Sequence, residues 1–183
     1  VTIMAMDEGL DTGGMYTSAS LVIDQHATTA NLELALCQLG APLLIDTMRA
    51  LHAGTISATP QPEAGVTYAH KITKADAIIR WESDADTIGH QLRALESCIT
   101  GLDGLRVRIW QADSIDPAYH GKPGEILQAS KHGILVATSK GKLLIHKLQL
   151  PLGKGGIITA ADALNARREL FAPGAVFSTA AST

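Results

Sequence analysis

Aromatic side chains are scarce in this 183-residue chain: two Phe, two Trp and three Tyr make up 4% of it. Whatever core it forms must therefore be aliphatic. Cysteine is limited to Cys37 and Cys98, far apart in sequence. That excludes a disulfide framework and suits a reducing compartment. No basic segment precedes a short apolar run in the manner of a secretory signal, and no uninterrupted apolar run reaches membrane-spanning length. The seven histidines are scattered without metal-ligand spacing, so they read singly as surface or core residues and no metal site is expected. Cations are nearly missing from residues 1–66, where Arg49 stands against seven acidic side chains. No internal repeat is visible.

What is present is a globular composition, 46% hydrophobic and 18% charged, long enough for one domain or two small ones. The net charge of −3 hides an asymmetry, because residues 67–183 carry fourteen basic and eleven acidic side chains. The second part of the chain is thus the candidate for meeting a polyanion, the alternative being solvated surface charge. The most informative stretch is the first, VTIMAMDEGLDTGGM (Val1–Met15). A short apolar run, Val1–Met6, ends in an acidic loop punctuated by glycine, Asp7–Gly14. It reads as a buried strand entering an active-site loop, or as an ordinary solvated acidic turn. Asp7, Glu8 and Asp11 are costly to crowd together unless water, a partner or a ligand satisfies them.

Along the chain, Tyr16–Ile23 alternates as a second strand. Thr28 or Thr29 is a helix N-cap, with Glu33 in the first turns. Leu32, Leu36, Leu39, Leu43 and Leu44 recur at helical spacing to about His52, where Gly54 supplies the stop. Pro42 is a candidate kink, and Cys37 is read as a small buried hydrophobe. Ser57–Gly65, with two prolines and no periodicity, is an extended linker. Trp81 is read as a packing anchor, and Ser83 as the cap of a helix with Ile88, Leu92 and Leu95 on its apolar face. From Leu105 the period changes to two, and strands at Leu105–Ile109, Gly124–Ala129, Gly133–Thr138 and Lys142–Leu150 suggest a small barrel. Thr159 and Asp162 cap a last helix, Ala160–Leu170, before a small polar tail, residues 178–183, expected to lack order.

The loop at GLDTG resembles the signature around the catalytic aspartate of the folate-dependent formyltransferases. The resemblance is strongest to the methionyl-tRNA formyltransferase family. It continues through Leu39–Trp81, with GVTYAHKI in the linker, and resumes in VRIWQA (Val107–Ala112), PGEIL (Pro123–Leu127) and LQLPLGKGGIITAADALN (Leu148–Asn165). It implies an α/β catalytic-domain remnant with a Rossmann-like formyltransferase fold, followed by an OB-like (oligonucleotide-binding-like) β-barrel with flanking helices. The implied boundaries are residues 1–55 for the catalytic part, 56–75 for the linker, 76–177 for the barrel and 178–183 for the tail.

The resemblance further implies formyl transfer from 10-formyltetrahydrofolate to the amino group of initiator methionyl-tRNA, by a cytoplasmic monomer with no membrane partner and no metal. It puts Asp11 at the family's catalytic aspartate, and Met6, Asp7, Glu8, Gly9 and Leu10 along the folate head group. Lys71 and Lys74 match the family's linker lysines beside the tRNA acceptor stem. Arg106, Arg108, Lys142 and Lys147 are candidate phosphate contacts, with Lys140 near them; singly, each is equally a surface cation. The family's asparagine and histidine lie upstream of the loop and have no counterpart in this chain, which implies a carboxyl-terminal part inactive alone. Arg93–Gly104 departs from the family, being shorter and lacking its proline- and tryptophan-bearing turn. Gly14 departs as well, which should loosen the loop. Two rival functions remain: a stand-alone tRNA-binding module, and a folate-dependent formyltransferase acting on a small amine.

Overall fold

The computed structural model describes residues 1–151 and 155–179. The chain divides into two compact units, Val1–Lys71 and Ile72–Thr183.

In the first unit, strand β1 (Thr2–Met4) pairs antiparallel with β2 (Met15–Ser18), with a register irregularity between Ile3 and Met4. The second strand is shorter than the alternation predicts: Leu21, Val22 and Ile23 lie outside it and are exposed. Nor is β1 buried, since its three residues range from half-buried to exposed. The sheet of a Rossmann-like fold is not formed by this unit. A hairpin needs only a connecting loop, whereas parallel pairing needs crossover partners. Helix α1 (Thr29–His52) starts at Thr28, whose hydroxyl accepts from the Asn31 N–H while the Asn31 side chain accepts from the Thr28 N–H. It runs through Pro42, and Gly54 follows the last turn at φ +68°.

One face of α1 meets the hairpin. Thr47 is buried there, 2.6 Å from the Thr17 hydroxyl, and donates to the Leu43 carbonyl at 2.7 Å. The opposite face stays uncovered. Leu34, Ile45 and Met48 are 62%, 50% and 60% exposed, and Cys37 is exposed rather than buried as predicted. The reason is that α1 carries apolar residues on two sides, and the two-stranded sheet is wide enough to cover one. By length and composition α1 could cross a membrane, with a window of mean hydropathy 1.3. Glu33, Gln38 and Asp46 interrupt it, so no uninterrupted run revealed this.

The second unit opens with a 3-10 turn at Lys74–Ala77. Helix α2 (Ala85–Leu95) is capped by Asp84, one residue beyond the expected Ser83; the Asp84 carboxylate accepts from the Thr87 N–H at 2.7 Å. Ile88 and Leu92 face the core as expected. Glu96 in the left-handed region ends the helix, and β3 (Cys98–Leu102) begins two residues later. Asp103 and Gly104, at φ +49° and +72°, make the tight turn into β4 (Leu105–Ile115). Strand β5 (Ile126–Ser130), β6 (Gly133–Ala137), β7 (Lys142–Gln149), β8 (Ile157–Thr159) and β9 (Phe177–Ser178) complete an antiparallel sheet ordered β5-β6-β7-β4-β3-β9, with β8 on β7.

This sheet curls until its edges meet. Glu125 bridges Val176, Phe177 N–H donates to the Gly124 carbonyl at 2.8 Å, and Ile126 exchanges bonds with Ala175 and Gly174, both at 2.8 Å. A barrel-like domain results, as the period-two strands suggested. Closure of this kind removes the unpaired edges of an open sheet. Its aliphatic interior includes Ile79, Ile109, Ile126, Ile134, Leu143, Ile145 and Leu148, each fully buried. Trp81 is an interior anchor as predicted: it stacks on Phe177 at 5.3 Å between centroids, and its indole N–H donates to the Thr100 hydroxyl at 2.9 Å. Helix α3 (Ala160–Arg167) carries the expected Thr159–Asp162 capping box but gives way to a 3-10 turn at Arg168–Phe171. Ser178, placed in the tail by sequence, pairs with Gly101 in the sheet, and residues 180–183 lie outside the described residues.

Candidate active-site loop and basic barrel face

The loop between β1 and β2 is held from within. The Asp7 carboxylate accepts from the Gly9 N–H at 3.0 Å and from the Thr12 hydroxyl at 2.5 Å. Asp7 is therefore occupied in folding the loop. Ala5 N–H donates to the Gly14 carbonyl at 2.8 Å, and Gly13 is buried with no room for a Cβ, which would fall on the Ala5 carbonyl oxygen. Gly14 is packed in turn against Ala58 and Thr59. The start of the linker thus lies against the loop's far end at Gly14, where a side chain would have little room.

Asp11 stands in the left-handed region at φ +55° and is exposed. Among the described residues its carboxylate has no hydrogen-bond or ion-pair partner, whereas its carbonyl accepts from Gln61. Met6 and Leu10 extend into solvent, 95% and 81% exposed, and Glu8 and Gly9 are exposed beside them. Large apolar side chains left this open flank a surface that something apolar can cover. A cleft of about 580 Å³ lies within this unit, between Leu10–Thr12 and Gln61–Ala69, with Tyr68 and Glu63 on its wall. A free carboxylate above a partly apolar cleft can accept a proton from an amine and orient a neighbouring group.

On the barrel, Arg106 and Arg108 share the outer face of β4 and are exposed, as expected from their spacing. The Arg108 guanidinium lies 5.8 Å from the Trp110 ring centroid, and the Trp110 N–H donates to the Gln149 side chain on β7 at 3.2 Å. Lys147 is exposed on β7 and pairs in register with Gln111 of β4. Arg106 and Arg108 are thus outward cations two residues apart on β4, with Lys147 exposed on the neighbouring strand. Lys142 has a different setting: its ammonium is 2.8 Å from the Asp116 carboxylate and 4.2 Å over the Tyr119 ring. Lys140, in the turn before β7, is exposed. Lys71 and Lys74 are exposed at the end of the first unit and the start of the second. His146 pairs with Asp113 at 2.9 Å on the outer face, so that face carries carboxylates as well as cations.

Two carboxyls are held below their ordinary range by hydrogen bonds. Asp76 is lowered by the Thr73 N–H and then the Thr73 hydroxyl, and Asp84 by the Thr87 N–H and then the Thr87 hydroxyl. Burial pushes the Cys98 thiol up to about 12, which leaves it inert. Both carboxyls serve element ends rather than a site. Among the described residues no three His, Cys, Asp or Glu side chains are grouped to hold a metal ion. Neither Gln61 nor Trp110 is marked in the sequence: Gln61 lies in a segment without periodicity, and Arg108, two residues before Trp110, reads there as a cation alone.

Comparison with known proteins gives these observations a setting. Residues 71–168 match the family model described as the formyl transferase C-terminal domain. The chain is 39% identical over 177 residues to a methionyl-tRNA formyltransferase of Coxiella burnetii, covering 95% of this chain and 56% of that protein. It is 43% identical over 175 residues to one of Xylella fastidiosa, covering 93% and 56%. The chain thus spans about half the length of the curated relatives it matches. Among solved structures, HypX from Aquifex aeolicus in complex with tetrahydrofolic acid aligns at a TM-score of 0.61 and 16% identity, over 98% of this chain and 33% of that one. An N-formyltransferase from Helicobacter canadensis, in complex with folinic acid and dTDP-3-aminofucose, aligns at 0.62 and 15%, over 79% and 54%. At those identities the likeness is one of fold.

Proposed function

Because this chain belongs to the formyl transferase family, through a C-terminal domain at residues 71–168, we propose that it is the carboxyl-terminal part of a methionyl-tRNA formyltransferase. Its reaction moves a formyl group from 10-formyltetrahydrofolate to the amino group of methionine on initiator tRNA, in the cytoplasm. The observation that carries this reading is the exposed carboxylate of Asp11, without a partner among the described residues, in the GLDTG loop of a chain with these relatives.

Asp11 is the catalytic residue of this segment. Its carboxylate takes up the proton leaving the attacking amine, directly or through water, and orients a histidine supplied by upstream chain. When bound, the folate supplies the formyl carbon as electrophile. The loop fits such a group: Met6 and Leu10 offer apolar surface for a flat ring, Glu8 offers a carboxylate and Gly9 close backbone approach, while Asp7 keeps the loop's shape. The uncovered face of α1, with Leu34, Ile45 and Met48, is where we place the upstream part. The relatives are long enough to supply it.

The barrel, which we read as oligonucleotide-binding-like, docks the tRNA. Arg106, Arg108 and Lys147 contact phosphates from one face, and Lys71 and Lys74 do so from the linker, read as residues 56–75. Lys142 contributes by shaping that face, its charge being engaged by Asp116. A small-amine acceptor is disfavoured because it would need no polyanion-docking surface. The test is formyl transfer by the chain joined to the upstream portion its relatives carry. Asp11→Asn is expected to abolish it while leaving tRNA binding intact; full activity of that variant would refute the assignment.

A further inference from the structure

We infer that Gln61 is a positioning residue that clamps the Asp11 loop in its working shape, a role that rests on the reading of Asp11 as catalytic. The Gln61 side-chain nitrogen donates to the Asp11 carbonyl at 2.7 Å and to the Gly13 carbonyl at 2.8 Å, across 50 and 48 residues of sequence. Both protons of one amide are thereby used on the carbonyls of the two residues that flank Thr12. This fixes the amide orientation, since its oxygen could not face two carbonyl oxygens.

The clamp has a second point of attachment nearby. Met15 N–H donates to the Thr59 carbonyl at 2.7 Å, and Thr59 N–H to the Met15 carbonyl at 2.8 Å. The backbone at Thr59 and the side chain at Gln61 thus grip the same loop from one strand of linker. Asp7 holds the opposite side of the loop through Gly9 and Thr12. Between the two anchors lies Asp11 at φ +55°, a conformation that a non-glycine residue keeps only when its surroundings impose it. Gln61 makes the only side-chain bond among the described residues to the carbonyl of Asp11 itself. It sits on the wall of the cleft that Asp11 overlooks, so the same residue shapes both the loop and the cleft.

Gln61→Glu is the discriminating variant, because it keeps size and shape and replaces the donor by an acceptor facing two carbonyls. In the chain joined to its upstream portion, the turnover number of Gln61→Glu is expected to fall roughly tenfold to a hundredfold, the scale of an ångström-level misplacement, with KM for both substrates little changed. The activity ratio of Gln61→Glu to the unaltered protein should rise as pH falls, because a protonated Glu regains one donor. A purely structural role would not produce that pH profile. Wild-type turnover in Gln61→Glu alongside an inactive Asp11→Asn overturns the clamp and leaves the reading of Asp11 standing. An active Asp11→Asn overturns the reading itself. Should Gln61→Glu fail to fold, NMR of the unaltered 183-residue chain decides. The Gln61 side-chain amide protons are expected to exchange with solvent more slowly than those of Gln38, Gln111 and Gln128, which are exposed, and exchange as fast as theirs would refute the clamp.

Discussion

Gly13 shows how closely the Asp11 loop is built. A methyl group there would occupy the position of the Ala5 carbonyl oxygen, which is backbone and has nowhere to move. Gly13→Ala is expected to destabilise the first unit by about 1–3 kcal/mol, the usual scale of overpacking. Denaturant unfolding followed by amide exchange of residues 2–18 would read this, and an unchanged midpoint would contradict it. At the level of single residues GLDTG singles out Asp11, which is exposed and whose carboxylate has no partner among the described residues. Asp7 and Gln61 were not legible in their roles. A carboxylate that folds its own loop and one that meets a ligand look alike in sequence. A glutamine in an aperiodic segment gives no sign of which distant carbonyls it will reach. Cys37 failed for a related reason: its helical position was clear, but which of two apolar faces the hairpin would cover was not.

At the scale of elements, ends are set by caps more than by periodicity. Asp84 illustrates it, as Asp84→Ala removes the bond to the Thr87 N–H and is expected to cost about 1 kcal/mol of barrel stability at neutral pH. The pH dependence follows from the lowered carboxyl. A carboxyl whose folded value lies below its unfolded value of about 3.9 stabilises fully above that value and loses the contribution as pH falls through the folded one. The melting difference between Asp84→Ala and the unaltered chain should therefore be constant from pH 7 to 5 and shrink below about pH 4. A difference that grows toward acid would contradict the assignment. Helices α1, α2 and α3 and the longer strands were legible because each carries its period or its cap within one stretch. Strands β3, β8 and β9 were not. Strand β3 shows no alternation because all five of its residues are buried, and β8 and β9, three and two residues long, are defined by the strands they pair with, Leu148 meeting Ile158 and Leu102 meeting Phe177.

For the whole molecule, the proposed docking of tRNA on the barrel is a claim about charge. Arg106 and Arg108 are exposed on one strand face, and Lys142 is neutralised by Asp116. Reversing both arginines to Glu is expected to weaken tRNA binding and reduce the slope of log affinity against log salt by about 2, one for each phosphate that is no longer neutralised. Lys142→Met should leave the salt slope nearly unchanged and lower the melting temperature instead. Equal effects from the two changes would mean that this strand face does not bind phosphates.

The most direct measurement is formyl transfer from 10-formyltetrahydrofolate to initiator methionyl-tRNA, by the 183-residue chain alone and by the same chain joined to the upstream portion of a relative. No transfer is expected by the chain alone, with transfer by the joined protein and its loss again on Asp11→Asn. Transfer by the chain alone would contradict the proposed function, because the chemistry would then have to be complete within these residues.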